Sequence, residues 1–160
     1  MSKIIGSKIS GLGEWDTRYM ELAELVSTWS KDIDHQVGAV VVVERYGAIA
    51  LGYNGFPERI RDDNRLKDKD TKNRIILHAE ENALRMAGDA RTKEATLYVY
   101  GKPICRTCAR EIVQAGISRI VCMNPEDESS EEWRSLGREA KAMFEEAHID
   151  LTYFKIQNKG

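Results

Sequence analysis

Two short segments constrain the fold of this chain more than any other feature. One covers 78–80 and reads His-Ala-Glu; the other covers 105–108 and reads Cys-Arg-Thr-Cys. The surrounding pattern places each segment at the start of a helix. Cys105 and Cys108 are three residues apart, so both sulfurs can point the same way, and a helix amino terminus favours thiolate over thiol. With His78 they offer zinc one nitrogen and two sulfur ligands, and a shared ion would tie one helix to the other.

The ligand set indicates a catalytic metal site. Three protein ligands leave one tetrahedral position for water, whereas a structural zinc site is closed by four. Two thiolates and a neutral imidazole cancel the charge of the ion, so a base must help to remove a proton from the water. Glu80, two residues after His78, can reach that water without binding the metal. We therefore predict that His78, Cys105 and Cys108 bind Zn²⁺ and that Glu80 carries protons.

A Cys-x-x-Cys pair alone is also typical of a redox pair or of half of a structural zinc site. The other two ligands of a four-cysteine site are missing, because Cys122 is the only further cysteine. It falls on an apolar strand and is predicted to be a small buried residue. His35 and His148 are predicted to be surface histidines. A second zinc ion is not expected.

The hydrophobic pattern predicts one α/β domain over 15–156 after a tail at 1–14. Helices are predicted over 15–30, 79–88, 107–115 and 131–147, and strands over 37–43, 48–53, 95–100, 119–123 and 151–156. The first two strands form a hairpin with a turn at 44–47. Alternating helices and strands then predict a single mixed sheet of about five strands flanked by helices. The charged segment 56–74 is predicted to be a solvated lid-like loop without structure of its own.

Composition argues against several classes of protein. The chain of 160 residues has 24 Lys and Arg against 26 Asp and Glu, a net charge of −2. Nucleic-acid-binding proteins usually carry a basic excess, so nucleic acid is an unlikely partner. No apolar run reaches the length of a membrane span, and no signal peptide is recognised. Together with cysteines better suited to be ligands than disulfides, this predicts a cytoplasmic protein.

Several segments between about 15 and 122 resemble the deoxycytidylate deaminase family of zinc-dependent cytidine deaminases, whose signature combines His-x-Glu with Pro-Cys-x-x-Cys. The similar segments are 26–32 (Val-Ser-Thr-Trp-Ser-Lys-Asp), 37–40 (Val-Gly-Ala-Val), 52–57 (Gly-Tyr-Asn-Gly-Phe-Pro), 78–83 (His-Ala-Glu-Glu-Asn-Ala), 105–108 and 112–117 (Ile-Val-Gln-Ala-Gly-Ile). The resemblance implies a three-layer cytidine deaminase-like fold. It also implies hydrolytic deamination of a cytosine nucleotide, with dCMP as the leading substrate, zinc as cofactor and no organic cofactor.

Four residues are candidate substrate contacts, and the resemblance implies the role of one of them, Asn54. Asn54 is expected to contact the sugar, although Asn-Gly is also a common turn pair that tolerates positive φ. Lys31 is a candidate phosphate contact or a solvated lysine at a helix end. Asn82 is a candidate ligand contact or a polar residue of the helix face. Ala79 lies between the metal ligand and the proton carrier and is assigned to the substrate site.

The sequence departs from the family pattern at two places and leaves rival functions open. Ile104 separates Pro103 from Cys105, which keeps the ligand spacing, and Ile33 stands where proline is usual. Rival substrates are free cytidine, dCTP, a riboflavin precursor, an adenine compound, or a base in RNA or single-stranded DNA. A catalytically silent zinc-bearing binding module is the rival from another class, and it would not need Glu80. Regulation by dCTP or dTTP stays open.

Related deaminases are usually oligomers whose neighbouring subunits help to close the active site. The three tryptophans, Trp15, Trp29 and Trp133, lie on predicted helices that one sheet need not cover fully. We therefore expect a homo-oligomer.

Overall fold

The computed structural model describes residues 9–43 and 48–157, so the predicted turn at 44–47 lies outside the described residues. The strands are β1 (Ile9–Ser10), β2 (Gly38–Val43), β3 (Ala48–Tyr53), β4 (Thr96–Tyr100), β5 (Arg119–Met123) and β6 (Asp150–Ile156). The helices are α1 (Glu14–Ser27), α2 (Lys69–Ile75), α3 (Ala79–Ala87), α4 (Asp89–Thr92), α5 (Arg106–Ala115) and α6 (Glu131–Glu146).

The described strands form one mixed sheet in the order β1-β6-β5-β4-β2-β3. The hairpin of β2 and β3 is antiparallel, as predicted, and β2 also pairs antiparallel with β4. From β4 through β5 to β6 the pairing is parallel. The short β1 pairs with β6 and comes from the segment predicted to be a tail. The sheet therefore has six strands rather than about five, and the single mixed sheet is confirmed.

Helices cover both faces of the sheet, which gives three layers. Along β2 the side chains alternate between faces, as the period of a strand requires. Ala39 and Val41 belong to the core shared with α3, α5 and α6. Val40 and Val42 belong to the core under α1. A strand buried on both faces is apolar throughout, which explains the continuous apolar run seen in the sequence.

Helix α3 lies directly on the backbone of β3, and Gly52 permits this close approach. A Cβ at position 52 would lie 2.4 Å from both the Ala79 carbonyl oxygen and the Ala83 amide nitrogen. Any larger residue would push α3 off the sheet. This contact fixes the amino-terminal end of α3, where His78 and Glu80 lie, beside the carboxyl end of β3.

The segment 56–74 has structure that the sequence did not predict. It contains a 3₁₀ turn (Asn64–Lys67) and the first part of α2. The side chain of Lys72 is buried, and its Nζ donates hydrogen bonds of 2.9 Å to Asp32 Oδ1 and Asp34 Oδ2. The prediction of an unstructured solvated loop was wrong because the partners of Lys72 lie about 40 residues earlier in the chain. Losing one member of a buried ion pair commonly costs about 3–5 kcal/mol, so this contact holds α2 to the segment around Asp32.

The predicted helix ends are close to those observed. Helix α1 ends at Ser27 rather than near Ser30, and the chain continues in tight turns in which Trp29 N donates to Val26 O. Gly116 adopts a left-handed conformation after α5. Ser130 Oγ accepts a hydrogen bond from Trp133 N and so caps the amino terminus of α6. Within the described residues, no helix has the length and apolar character required to cross a membrane.

Candidate metal centre and active site

The three predicted metal ligands converge at the starts of two helices. His78 precedes α3 and Cys105 precedes α5, each in extended conformation, and Cys108 lies in the first turn of α5. His78 Nδ1 is 3.2 Å from Cys108 Sγ and 3.5 Å from Cys105 Sγ. All three ligand atoms lie within 4.8 Å of one another.

These distances fit a zinc ion. With Zn–S of about 2.3 Å and Zn–N of about 2.0–2.1 Å, tetrahedral geometry places nitrogen and sulfur ligands about 3.6 Å apart. The observed separations of 3.2 and 3.5 Å need only a small expansion. The backbone supports the ligands as well: His78 N donates to Glu81 Oε1 at 2.9 Å, and Cys108 N donates to Cys105 Sγ at 3.5 Å.

The contacts among the three ligand side chains also shift their pKa values. The hydrogen bond from Cys108, with another from His78, lowers the pKa of Cys105 to about 4 despite burial. The hydrogen bond with Cys105 raises the pKa of His78 to about 9. The hydrogen bond between Cys105 and Cys108, together with burial, raises the pKa of the Cys108 thiol. Binding of a metal ion displaces the protons that the three side chains otherwise share.

Glu80 lies in the first turn of α3, next to the ligands but outside the ligand cluster. Its side chain is 4% exposed. Burial disfavours the charged carboxylate and raises its pKa to about 7, although the nearby His78 acts in the opposite direction. A carboxyl group with a pKa near neutrality can both accept and donate a proton at physiological pH.

A small pocket, with about 50 Å³ of accessible space, opens onto these residues. Besides His78, Glu80 and Cys105, its lining consists of Asp32, His35, Val37, Asn54, Asn73, Ile76, Ala79, Lys102, Pro103 and Trp133. The structure thus brings Asn54 and Ala79, two of the predicted substrate contacts, to the same pocket as the metal ligands.

Asn54 is a buried support of the pocket wall. Its Oδ1 accepts a hydrogen bond of 2.9 Å from Val37 N, and its Nδ2 donates one of 2.7 Å to His35 O. Asn54 does not have a positive φ, and its contact with the sugar stays a prediction.

Lys31 and Asn82 lie elsewhere. Lys31 is exposed, and its Nζ is paired with Asp62 Oδ2 at 2.9 Å. Asn82 Nδ2 donates to Tyr53 O at 2.8 Å. Neither belongs to the residues that line the pocket, and their contact with substrate stays a prediction.

Several pocket residues were not assigned to the site from the sequence, among them His35, Lys102 and Trp133. The prediction that His35 is a surface histidine was wrong. Its ring is half-buried, it meets the Trp133 ring edge-on at 5.9 Å, and its Nδ1 is buried with no hydrogen-bond partner among the described residues. No motif spacing connects these residues, because Trp133 comes from α6. By contrast, His148 is exposed and Cys122 is buried, as predicted.

Comparison with known proteins agrees with the fold and the site. The family profile described as "Cytidine and deoxycytidylate deaminase zinc-binding region" matches residues 13–124. The deoxycytidylate deaminase of Mus musculus is 34% identical over 163 residues, which cover 96% of this chain and 87% of that protein. An uncharacterised deaminase encoded in the luxG 3′ region of Aliivibrio fischeri is 31% identical, with coverage of 91% and 97%.

Among solved structures, the dCMP deaminase of cyanophage S-TIM5 in complex with dCMP and dUMP superposes with a TM-score of 0.70. It is 27% identical, and the match covers 90% of this chain and 99% of that one. Fold and site together define a zinc-binding protein with the cytidine deaminase fold. The chain belongs to the cytidine and deoxycytidylate deaminase family, and zinc is the metal of its site.

Proposed function

We propose that this protein is a zinc-dependent hydrolase that deaminates dCMP to dUMP and ammonia. The observation that carries the proposal is the buried Glu80 carboxylate in the same pocket as the metal ligands His78 and Cys105. A zinc ion that only stabilised the fold would need no such group, and burying an ionisable side chain without a role is costly. The likeness to deoxycytidylate deaminases over nearly the whole chain supports dCMP as the substrate.

A free nucleotide suits this pocket better than a nucleic-acid strand. Proteins that hold single strands combine a basic groove with several stacking aromatic residues. Here the net charge is −2, and the pocket carries the acidic side chains of Asp32 and Glu80. These features favour one small substrate over an extended polyanion.

The reaction adds water across the N3–C4 bond of cytosine and then breaks the C4–N bond of the amino group. Zinc, when bound, supplies a nucleophilic hydroxide near neutral pH by lowering the pKa of water. Glu80 accepts the proton that water loses and delivers it to N3. It then moves the proton of the new C4 hydroxyl group to the departing amino group, which leaves as ammonia while C4 becomes the carbonyl carbon of uracil. Each transfer regenerates the carboxylate, so no external acid or base is consumed.

The other pocket residues orient the base and exclude water. Val37, Ile76 and Trp133 provide apolar walls around the polar groups. Asn54 fixes the backbone of the wall through Val37 and His35, and with Ala79 it is assigned to contact the substrate. Apolar walls that exclude water strengthen the electrostatic contacts within a pocket.

The test is an ammonia-release assay, with ultraviolet absorbance as a second readout, across cytidine, deoxycytidine, CMP, dCMP, dCTP and a cytosine-containing oligonucleotide. We expect the highest kcat/KM for dCMP and no measurable turnover of the oligonucleotide. Turnover of none of these compounds by zinc-loaded protein would contradict the proposed activity.

We further infer that the protein forms a homo-oligomer. Trp15 and Trp29 are 62% and 48% exposed, and Ile49 and Tyr53 of the edge strand β3 are also exposed. Adjoining exposed apolar side chains commonly mark interaction surfaces, and the Trp29 and Tyr53 rings meet edge-on with their centres 6.0 Å apart. Trp133, in contrast, packs in the pocket and does not contribute to this argument. Light scattering that gives a monomer with full activity would contradict this inference.

A cytoplasmic location is also part of the proposal. The three cysteines are free, and two of them are the proposed metal ligands, a use of cysteine that suits a reducing compartment. Cell fractionation that recovers the protein from an oxidising compartment would contradict it.

A further inference from the structure

Lys102 lies in the pocket close to the reacting centre. It precedes the metal ligand Cys105 by three residues, a distance of at most about 10 Å along an extended chain. Gly101, with φ +122, forms the turn before it, and a Cβ there would lie 2.3 Å from Gln36 O. The turn therefore fixes the direction in which the chain enters the pocket wall at Lys102. Among the described residues that line the pocket, no other lysine or arginine is present.

The ammonium group of Lys102 is held in place and still has hydrogen-bond donors available. Its Nζ is 3.2 Å from Glu128 Oε2 and 5.5 Å from the centre of the Trp133 ring, and the side chain is 19% exposed. Glu128 is itself fixed, because its Oε1 accepts a hydrogen bond from Ser130 N. A lysine ammonium has three donors, and Glu128 takes one of them. Lys102 can therefore still donate to an anion in the pocket.

The remaining charges of the pocket make the Lys102 region the favourable place for an anion. Glu80 carries an acidic group that repels negative charge, whereas the Asp32 carboxylate is already paired with Lys72. His35 is adjacent to Lys102 through their shared contact with Trp133. Its pKa is lowered, mainly by burial and also by the charge of Lys102, so its ring is neutral at physiological pH. Lys102 thus supplies the positive charge in this part of the pocket.

We propose that Lys102 recognises the 5′-phosphate of the substrate and sets the preference for a nucleotide over a nucleoside. This inference rests on the proposed deaminase function and names the residue that binds the phosphate. It assigns to Lys102 the role for which the sequence made Lys31 a candidate, and the Lys31 side chain is 68% exposed and paired with Asp62. Glu128 and Trp133 act as positioning residues, since they hold the Lys102 side chain against the pocket.

The experiment compares kcat/KM for dCMP and for deoxycytidine in zinc-loaded wild-type protein and in variants. A hydrogen bond between charged groups commonly contributes an amount that corresponds to about 10- to 100-fold in binding. For Lys102→Met we expect kcat/KM for dCMP to fall by about that factor, chiefly through KM, while kcat/KM for deoxycytidine stays near the wild-type value. Lys102→Arg should recover much of the loss, because it keeps the charge.

Two further variants separate phosphate recognition from a structural role. Glu128→Gln removes the charge of the partner but keeps an oxygen that accepts a hydrogen bond from the Lys102 ammonium, so Lys102 stays in place and the preference for dCMP should be kept. Lys155→Met removes an exposed lysine of β6 and should change neither substrate. If Lys102→Met and Glu128→Gln instead reduce turnover of both substrates equally, Lys102 only anchors α6 and the inference is wrong.

Lys31→Met tests the rival residue directly. Loss of the dCMP preference in Lys31→Met but not in Lys102→Met would overturn the inference and leave the deaminase function standing. If the wild-type enzyme had equal kcat/KM for deoxycytidine and for dCMP, the inference would also be overturned and the deaminase function would stand. Wild-type protein without activity on either compound would instead be a failure of the proposed function.

Discussion

We expect Glu80→Gln to lower the turnover of dCMP by about 10⁴-fold. General acid–base assistance is commonly worth about 10²–10⁴ in rate, and Glu80 would serve at several steps of one reaction. Glutamine keeps the shape of the side chain but cannot accept or deliver the proton. Because Glu80 lies outside the ligand cluster, zinc content and the melting temperature should stay close to those of the wild type.

Glu146→Gln is a matched control, since Glu146 is an exposed glutamate at the end of α6. It should leave turnover, zinc content and melting temperature unchanged. All three quantities should be measured side by side for both variants. Near-normal turnover by Glu80→Gln would show that another group carries the protons.

We expect His78→Ala to lose zinc and activity together. His78 brings the only nitrogen ligand of the cluster and connects the start of α3 to the start of α5. Metal affinity in such sites contributes directly to folding, so the melting temperature should fall as well. This pattern differs from that of Glu80→Gln, which should lose turnover alone.

His148→Asn is the control for this variant. His148 is exposed and has a φ of +58, a conformation that asparagine tolerates better than most residues. The substitution should leave zinc content unchanged. If His78→Ala retained stoichiometric zinc, His78 would not be a ligand of the metal.

The metal centre could be predicted from the sequence because each of its residues lies at the start of a helix, and local sequence patterns show where those helices start. The two motifs place His78, Glu80, Cys105 and Cys108 at the first turns of α3 and α5. The local signals for those helices are strong, since Gly88 and Gly116 follow their last residues. Once the two helices pack on the same face of the sheet, the ligands meet without further information.

The rest of the pocket could not be predicted because it depends on contacts between distant segments. In the sequence, Lys72 is one of many charged residues, and only the fold shows that it is buried against Asp32. From the sequence, Trp133 is an apolar residue of a predicted helix, whereas in the structure it contacts His35 and Lys102 in the pocket. Such residues have no characteristic spacing in the sequence. The four predicted substrate contacts divide in the same way: Asn54 and Ala79 line the pocket, whereas Lys31 and Asn82 do not.

The central claim is that one zinc ion per chain, bound by His78, Cys105 and Cys108, supports deamination of dCMP. The most direct test is to remove the metal with a chelator and titrate zinc back while dUMP formation and bound zinc are both measured. We predict that zinc-free protein is inactive and that activity returns in proportion to bound zinc, up to one ion per chain. Full activity in zinc-free protein, or reconstituted protein that forms no dUMP, would contradict the claim.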